Sequence, residues 1–311
     1  MAKILITESV HPIGPELLTA AGHTVVYADR DMDVIRREIV DADAVLVRII
    51  ELPGSLLATA KNLKIVSKHG VGYDNIDLDY CKSHVIAVTI TPNANSLSVA
   101  EHAFTLMLTL AKNIIPVSNE YRTVGFAAKN HAPGIEMTGK TLGLIGMGRI
   151  GKHILHMCRD GLDMHVIVYD PYISEVPEGV EKVDDLSELL RRADVVTLHC
   201  LLTDETRKLI DRERLALMKP TALLINCARG PIVDEAALIE ALENGRLAGA
   251  GLDVTDPEPV APDSPLFKLP NVIVTPHYAP TTVESATRVS KIAAENINAV
   301  LAGQEPVGRI V

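Results

Sequence analysis

Residues 141–154 read TLGLIGMGRIGKHI. Thr141–Ile145 is a short apolar run of the kind that forms a buried strand, and RIGKHILHMC after it has a helical period. Between them Gly146, Gly148 and Gly151 fall at the spacing GxGxxG. The spacing has a mechanism: the first glycine permits a tight turn, the second lets a pyrophosphate approach the backbone, and the third lets the helix pack closely on the strand. The helix N-terminus then offers unpaired N–H groups and the positive end of its dipole to phosphates. Glycine-rich turns also occur without any ligand, so the context has to decide. Here the next β-run, HVIVYD, ends in Asp170, nineteen residues past Gly151. A carboxylate at that place accepts hydrogen bonds from ribose hydroxyls and repels a 2′-phosphate. Pro171 and Tyr172 follow it, not arginine, so the pattern favours NAD over NADP.

Working outward, short β-branched runs recur with helical stretches between them. KILIT, TVVYA, AVLVRI, LKIVSK and VIAVTI lie in the first ninety residues, and TLGLIG, HVIVYD, DVVTLHC, ALLINCA, GAGLDV and VIVTPH follow. Continuous rather than alternating hydrophobicity predicts parallel strands covered on both faces. Eleven strands exceed one comfortable sheet, so the expected fold is α/β with two doubly wound units. The seam falls at TPNANSLSVAEHAFTLMLTLAKN, where Ser98 and Glu101 have capping-box spacing and the residues after them are apolar nearly all round. Such a helix is expected to be buried, between domains or in a subunit interface. The final segment, TTVESATRVSKIAAENINAVLAG, has no strand after it and is expected to return to the first unit. The expected domains are therefore 1–97 plus 282–311, and 98–281.

A chain of 311 residues with 47% hydrophobic content can fill a core in each of two domains. Its 40 acidic and 30 basic side chains give a net charge of -10 without any basic cluster, so no nucleic-acid partner is expected. Cys81, Cys158, Cys200 and Cys227 have no metal-ligand spacing and read as free thiols in a reducing compartment. The start, MAKILITESVHP, is too brief for a signal peptide, and AFTLMLTLA is too short to cross a bilayer. A cytoplasmic protein with no membrane partner is expected. His153 and His156 share a helix face with no acidic set around them, so no metal is expected.

Three later strands end in polar residues at the carboxyl edge, where ligands sit in open parallel sheets. These are Arg229 in INCARGPIVD, Glu258 in GLDVTDPEP and His277 in VIVTPHYAP. Each taken singly reads equally as a surface residue, but the three types complement one another. A guanidinium binds a substrate carboxylate bidentately, and an imidazole exchanges a proton with a carbonyl or alcohol oxygen near neutral pH. A neighbouring carboxylate favours the imidazolium and fixes the ring's tautomer. Together they suit hydride exchange at C2 of a 2-hydroxy acid.

LGLIGMGRIG, INCARGPIVDEAALIEAL, GAGLDVTDPEP and VIVTPH, in this order and at these separations, strongly resemble the D-isomer-specific 2-hydroxyacid dehydrogenases. KHGVGYDNID and NSLSVAEHAFTLML extend the resemblance over almost the whole chain. It implies a Rossmann NAD-binding domain and a smaller flavodoxin-like substrate domain completed by the last helix. It implies Arg229 as the substrate-carboxylate and nicotinamide-side group, Glu258 as the partner orienting the histidine, and His277 as general acid/base. Arg149, Ile150, Asp170, Cys200, Cys227 and Asp253 would line the NAD site with the glycines. Gly70, Val71 and Gly72 would set backbone N–H groups against the substrate carboxylate. Homodimers through the NAD-binding domain are usual in the family, and the apolar helix after Ser98 would suit that interface.

The chain also departs from the family. Leu201 stands where proline is common, and Asn93 where glycine is frequent, although asparagine tolerates the left-handed region. Tyr278 and Pro280 replace small residues after the histidine. His69 and His102 are read as hydrogen-bonded structural histidines, and Cys200 and Cys227 as cofactor-lining neighbours, not nucleophiles. Within the family the pattern is nearest to the 3-phosphoglycerate dehydrogenases. Arg48 and Lys68 fall where those enzymes keep phosphate-binding cations; alternatively they cap strands at a solvated edge. With its end at Val311 the chain is expected to lack a C-terminal regulatory domain. A glyoxylate or hydroxypyruvate reductase would share every catalytic residue, and an NAD-sensing corepressor would share the fold. A formate dehydrogenase is disfavoured, because its typical residue at the Glu258 position is glutamine.

Overall fold

The computed structural model describes residues 1–311, which divide into two compact units, Met1–Asn95 with Pro280–Val311, and Ser96–Ala279. The first holds five strands: β1 (Lys3–Ile6), β2 (Thr24–Tyr27), β3 (Ala44–Val47), β4 (Ile65–Lys68) and β5 (Ala87–Thr89). They form one parallel sheet in the order β2-β1-β3-β4-β5, the flavodoxin-like arrangement. Every residue of β3, β4 and β5 is buried, which is why these strands read as unbroken apolar runs. The helix Val283–Leu301 covers one face, setting Ala293, Ala294 and Ile297 against Ile4, Ile6, Leu46 and Ile65. Small residues let it lie close enough for Ser67 Oγ to donate to the Ala293 carbonyl at 3.0 Å.

The second unit holds β6 (Thr141–Ile145), β7 (His165–Tyr169), β8 (Val180–Lys182), β9 (Val195–Leu198), β10 (Leu223–Asn226), β11 (Gly249–Leu252) and β12 (Val272–Val274). They form a parallel sheet in the order β12-β11-β10-β9-β6-β7-β8. Chain order reverses between β6 and β9, so the crevice for a ligand lies at the ends of those two strands. All eleven β-runs of the sequence are strands, and both sheets are parallel, as an α/β doubly wound chain requires. The twelfth, β8, is three residues of Val-Glu-Lys at the sheet edge with no buried member, so it carries no hydrophobic signal.

The capping box at Ser98 is not formed. The helix runs Ser96–Ala111, so Ser98 lies inside its first turn and is buried. Nor is this helix buried all round: Val99, Ala103, Leu106 and Met107 pack on the sheet, while Leu97, Glu101 and Thr105, four residues apart, form an exposed stripe. Asn113, in the left-handed region at φ 49°, breaks the chain direction before a second helix, Ile114–Val124, which has no buried residue. Asn93 takes φ 64°, the conformation for which asparagine is suited. No helix is long and apolar enough to cross a membrane.

Candidate active site and cofactor cradle

The glycine turn leaves β6 at the crevice, and its three glycines differ in what a side chain would meet. Gly146 sits at φ +90°, and a Cβ there would come within 2.8 Å of the Cys200 nitrogen and the His199 carbonyl carbon. At Gly151 a Cβ would lie 2.3 Å from the Gly146 carbonyl oxygen, so glycine is what lets the helix Arg149–Leu162 close on the turn. At Gly148 a Cβ would meet nothing within 4 Å. The bare backbone there therefore borders open space at a helix N-terminus, which is what a pyrophosphate needs.

Asp170, at the end of β7, is half-buried. One carboxylate oxygen accepts from the Met147 N–H at 2.9 Å and the other from the Tyr172 N–H at 3.0 Å. Those bonds aim the carboxylate while leaving each oxygen a further lone pair for a ribose hydroxyl. Arg149 is exposed at the start of the helix and Ile150 is partly buried against the core. Cys200 and Cys227 follow β9 and β10; burial pushes the Cys200 thiol up to about 11 and Cys227 well above the usual range. Both remain neutral thiols that can line a pocket but not attack. The residues present thus fit a dinucleotide: an unobstructed glycine turn, a helix start and an aimed carboxylate.

Arg229, Glu258 and His277 follow the carboxyl ends of three neighbouring strands, β10, β11 and β12. His277 Nδ1 lies 2.7 Å from Glu258 Oε1, leaving Nε2 as the nitrogen that can face a substrate. Arg229 follows β10 in a loop held by Asn226, whose side-chain amide donates to the Arg229 carbonyl at 2.9 Å and accepts from Ala228 N–H at 3.0 Å. The loops of Arg229 and Glu258 touch directly. A Cβ on Gly230 would fall 1.9 Å from the Thr255 carbonyl oxygen, so glycine alone permits the contact.

His277 itself has φ 52°, an uncommon backbone for a non-glycine residue. Asp253, 1% exposed, holds the segment in that shape. Its carbonyl accepts the His277 N–H at 2.8 Å. Its carboxylate accepts the Thr275 hydroxyl at 2.6 Å, the Tyr278 N–H at 2.7 Å and the Ala279 N–H at 2.9 Å. Burial opposes ionisation of Asp253, but His102, the Thr275 hydroxyl and the two N–H groups outweigh it and hold the carboxyl below its ordinary value. The carboxylate expected from the resemblance to line the cofactor site thus also builds the histidine's loop.

The candidates of the first unit are placed differently from one another. Gly70, at φ +141°, donates to the Lys68 carbonyl at 3.0 Å, and its own carbonyl accepts from Thr91 N–H at 2.9 Å. Val71 and Gly72 are half-buried just beyond it. Arg48 Nη1 donates to the Ser9 carbonyl at 3.0 Å. Lys68 does not stand at a solvated edge: it is 6% exposed, and its ammonium donates to the Arg48 carbonyl and, at 2.6 Å, to Asn75 Oδ1. Sequence reasoning missed Glu8, which is buried and takes the N–H groups of Arg48 at 2.7 Å and Ile49 at 2.9 Å. His102 is hydrogen-bonded, as expected, to Thr275. His69 keeps a backbone hydrogen bond, but its buried Nε2 has no partner, and burial with the Arg48 and Lys68 charges lowers its pKa to about 3.

A Rossmann sheet with a glycine turn at its switch point, carrying a histidine–carboxylate pair and an arginine at neighbouring strand ends, defines a pyridine-nucleotide dehydrogenase class of architecture. Residues 104–279 match the family model described as D-isomer specific 2-hydroxyacid dehydrogenase, NAD binding domain. The chain is 42% identical over 308 residues, 98% of its length, to the D-3-phosphoglycerate dehydrogenase of Methanocaldococcus jannaschii, but covers only 58% of that protein. It is 38% identical to the glyoxylate reductase of Thermofilum pendens, covering 98% of this chain and 93% of that one. It superimposes on the D-lactate dehydrogenase of Aquifex aeolicus, solved with NAD and lactic acid, with a TM-score of 0.87 at 33% identity over 96% of each chain. The chain belongs to the D-isomer-specific 2-hydroxyacid dehydrogenase family.

Proposed function

We propose that the protein is an NAD-dependent 2-hydroxyacid dehydrogenase in which His277 is the general acid/base, Glu258 its orienting partner and Arg229 the substrate-carboxylate group. The single observation that carries this is the 2.7 Å contact of His277 Nδ1 with Glu258 beside the Arg229 loop. NAD, when bound, supplies the hydride acceptor or, reduced, the donor. Gly146, Gly148, Arg149, Ile150, Gly151 and Asp170 would hold it. In the reducing direction, Arg229 anchors the carboxylate of a 2-keto acid and His277 Nε2 gives a proton to the C2 oxygen. Glu258, 2.7 Å from Nδ1, keeps the ring from turning and leaves Nε2 for the substrate. In the oxidising direction the neutral imidazole takes the hydroxyl proton.

His277→Ala should therefore lose most of the rate while still binding NADH, and the two directions should have opposite pH profiles. Reduction needs the protonated imidazole and oxidation the neutral one, so identical profiles in both directions count against the role. Full activity in His277→Ala refutes the assignment. NADH binding with only feeble turnover of every 2-keto acid would instead identify a cofactor-sensing binding protein.

Among substrates, 3-phosphoglycerate is supported by the relatives and by Arg48. The glyoxylate or hydroxypyruvate reading is favoured by one specific observation, that the Lys68 ammonium is buried and engaged by protein oxygens. Rates on phosphohydroxypyruvate, hydroxypyruvate and glyoxylate separate the two, and Arg48→Ala should cost activity only on the phosphorylated acid. A homodimer is supported by the helix Ile114–Val124 and the turn after it, which expose Ile114, Ile115, Tyr121, Val124 and Phe126. Sedimentation at micromolar concentration tests it. The buried free thiols of Cys81 and Cys158 suit a reducing cytoplasm.

A further inference from the structure

The helix Ser96–Ala111 contributes one polar side chain to the loop that carries His277. His102 Nε2 lies 3.0 Å from Thr275 Oγ1 and 3.4 Å from Asp253 Oδ1, and the imidazole meets the Tyr278 ring edge-on with centroids 6.1 Å apart. Hydrogen-bond bookkeeping fixes the direction. The Thr275 hydroxyl has one proton, and at 2.6 Å it donates that proton to the Asp253 carboxylate, which is acceptor-only. Toward His102 the hydroxyl is therefore an acceptor, and His102 must present Nε2–H. The chain runs His102 Nε2–H to Thr275 Oγ–H to Asp253, whose remaining lone pairs take the backbone N–H groups of Tyr278 and Ala279, the two residues after His277.

We infer that His102 and Thr275 are positioning residues for His277. They act through Asp253 to hold the histidine's left-handed backbone at the geometry in which its ring meets Glu258. The inference rests on the proposed role of His277. A directional run of bonds to a buried carboxylate polarises each member and makes the loop stiffer than backbone bonds alone would. The stiffness matters because His277 sits in an unfavourable backbone region, which the surroundings must over-determine for the conformation to persist. Glu258 bonds the His277 ring and not the relay.

The first arm of the test needs no turnover. In protein with ¹⁵N-labelled histidine, a two-bond ¹H–¹⁵N correlation spectrum should show His102 as the Nε2–H tautomer, its signals assigned by their loss in His102→Gln. An Nδ1–H tautomer overturns the relay. In the second arm, Thr275→Val removes the hydroxyl at nearly constant shape. It should lower kcat for NADH-driven reduction of hydroxypyruvate by about 10- to 100-fold, the scale of a small misplacement of a reacting group. The Kd for NADH should stay within about twofold, because the glycine turn is untouched. Thr275→Ser should recover most of the rate. Wild-type kcat in Thr275→Val, or a loss that Thr275→Ser does not recover, overturns the inference. If the wild-type protein reduces no 2-keto acid at all, it is the proposed function that fails, and the tautomer still decides the relay.

Discussion

Replacing Gly230 by alanine tests whether the arginine and glutamate loops must be in van der Waals contact for catalysis. The added Cβ would stand 1.9 Å from the Thr255 carbonyl oxygen, 2.2 Å from its carbonyl carbon and 2.9 Å from the Asp256 nitrogen. All three are backbone atoms, so no side-chain rotation relieves the clash. Neither loop is slack. Arg229 is pinned by Asn226, and on the other side Thr255 donates to the Pro257 carbonyl at 2.9 Å while Glu235 accepts the Asp256 N–H at 2.9 Å. Reaching ordinary contact distance requires the backbones to part by about 1.5 Å, an overpacking that costs about 1–3 kcal/mol. A folded but less stable protein is the expected outcome. Activity should suffer far more, because a shift of about 1 Å in a reacting group costs about 100-fold, and here two groups move apart. Steady-state rates on hydroxypyruvate, thermal melting and NADH fluorescence titration together read the three quantities. Retained kcat/KM in a folded Gly230→Ala protein would refute the claim that this contact sets the site.

Gly148→Ala should melt like the wild type, since its Cβ meets nothing, yet weaken NADH binding by about tenfold or more by filling the space left for phosphate; unchanged NADH affinity would remove the cradle from this turn. Gly151→Ala should instead destabilise the unit even without cofactor, because its Cβ strikes the Gly146 carbonyl, and calorimetry of the two apo variants compares them. Burial lowers His69 and His199 to about 3 each, so both are neutral in the folded chain while an unfolded chain protonates them near 6.5. Unfolding then takes up protons between those values, and stability should fall as pH drops from about 6.5 toward 3, by up to about 1.4 kcal/mol per pH unit per histidine. Urea midpoints of His69→Asn and His199→Asn against pH should show a shallower fall, and parallel curves would count against the neutral assignment. Lys68→Met should loosen the Arg48 loop and raise KM for any acid that Arg48 contacts, because the Arg48 carbonyl and Asn75 lose their shared cation.

The parallel sheets were legible because strands covered on both faces must be apolar throughout, and β3, β4, β9 and β10 are fully buried along their lengths. The glycine turn was legible because backbone approach tolerates no substitute at Gly146 and Gly151. Asp170 was legible because a strand end in a βαβ unit falls at a nearly fixed distance from the turn. Local pattern failed where the decisive contact was elsewhere. Ser98 has capping spacing, yet the helix starts earlier, and β8 is held by pairing with β7 rather than by its own hydrophobicity.

By itself the sequence determined which residue types were available and in what order along the chain. That was enough for the fold class and for proposing Arg229, Glu258 and His277 as a set. Only the tertiary structure decided how those groups are held. The carboxylate of Asp253 turns inward to the loop of His277, His102 joins it from a helix more than 150 residues away, and Lys68 is spent on protein oxygens. Spacing along a chain is blind to such choices, because a buried polar group takes whichever partner the packing of distant segments brings within hydrogen-bond reach.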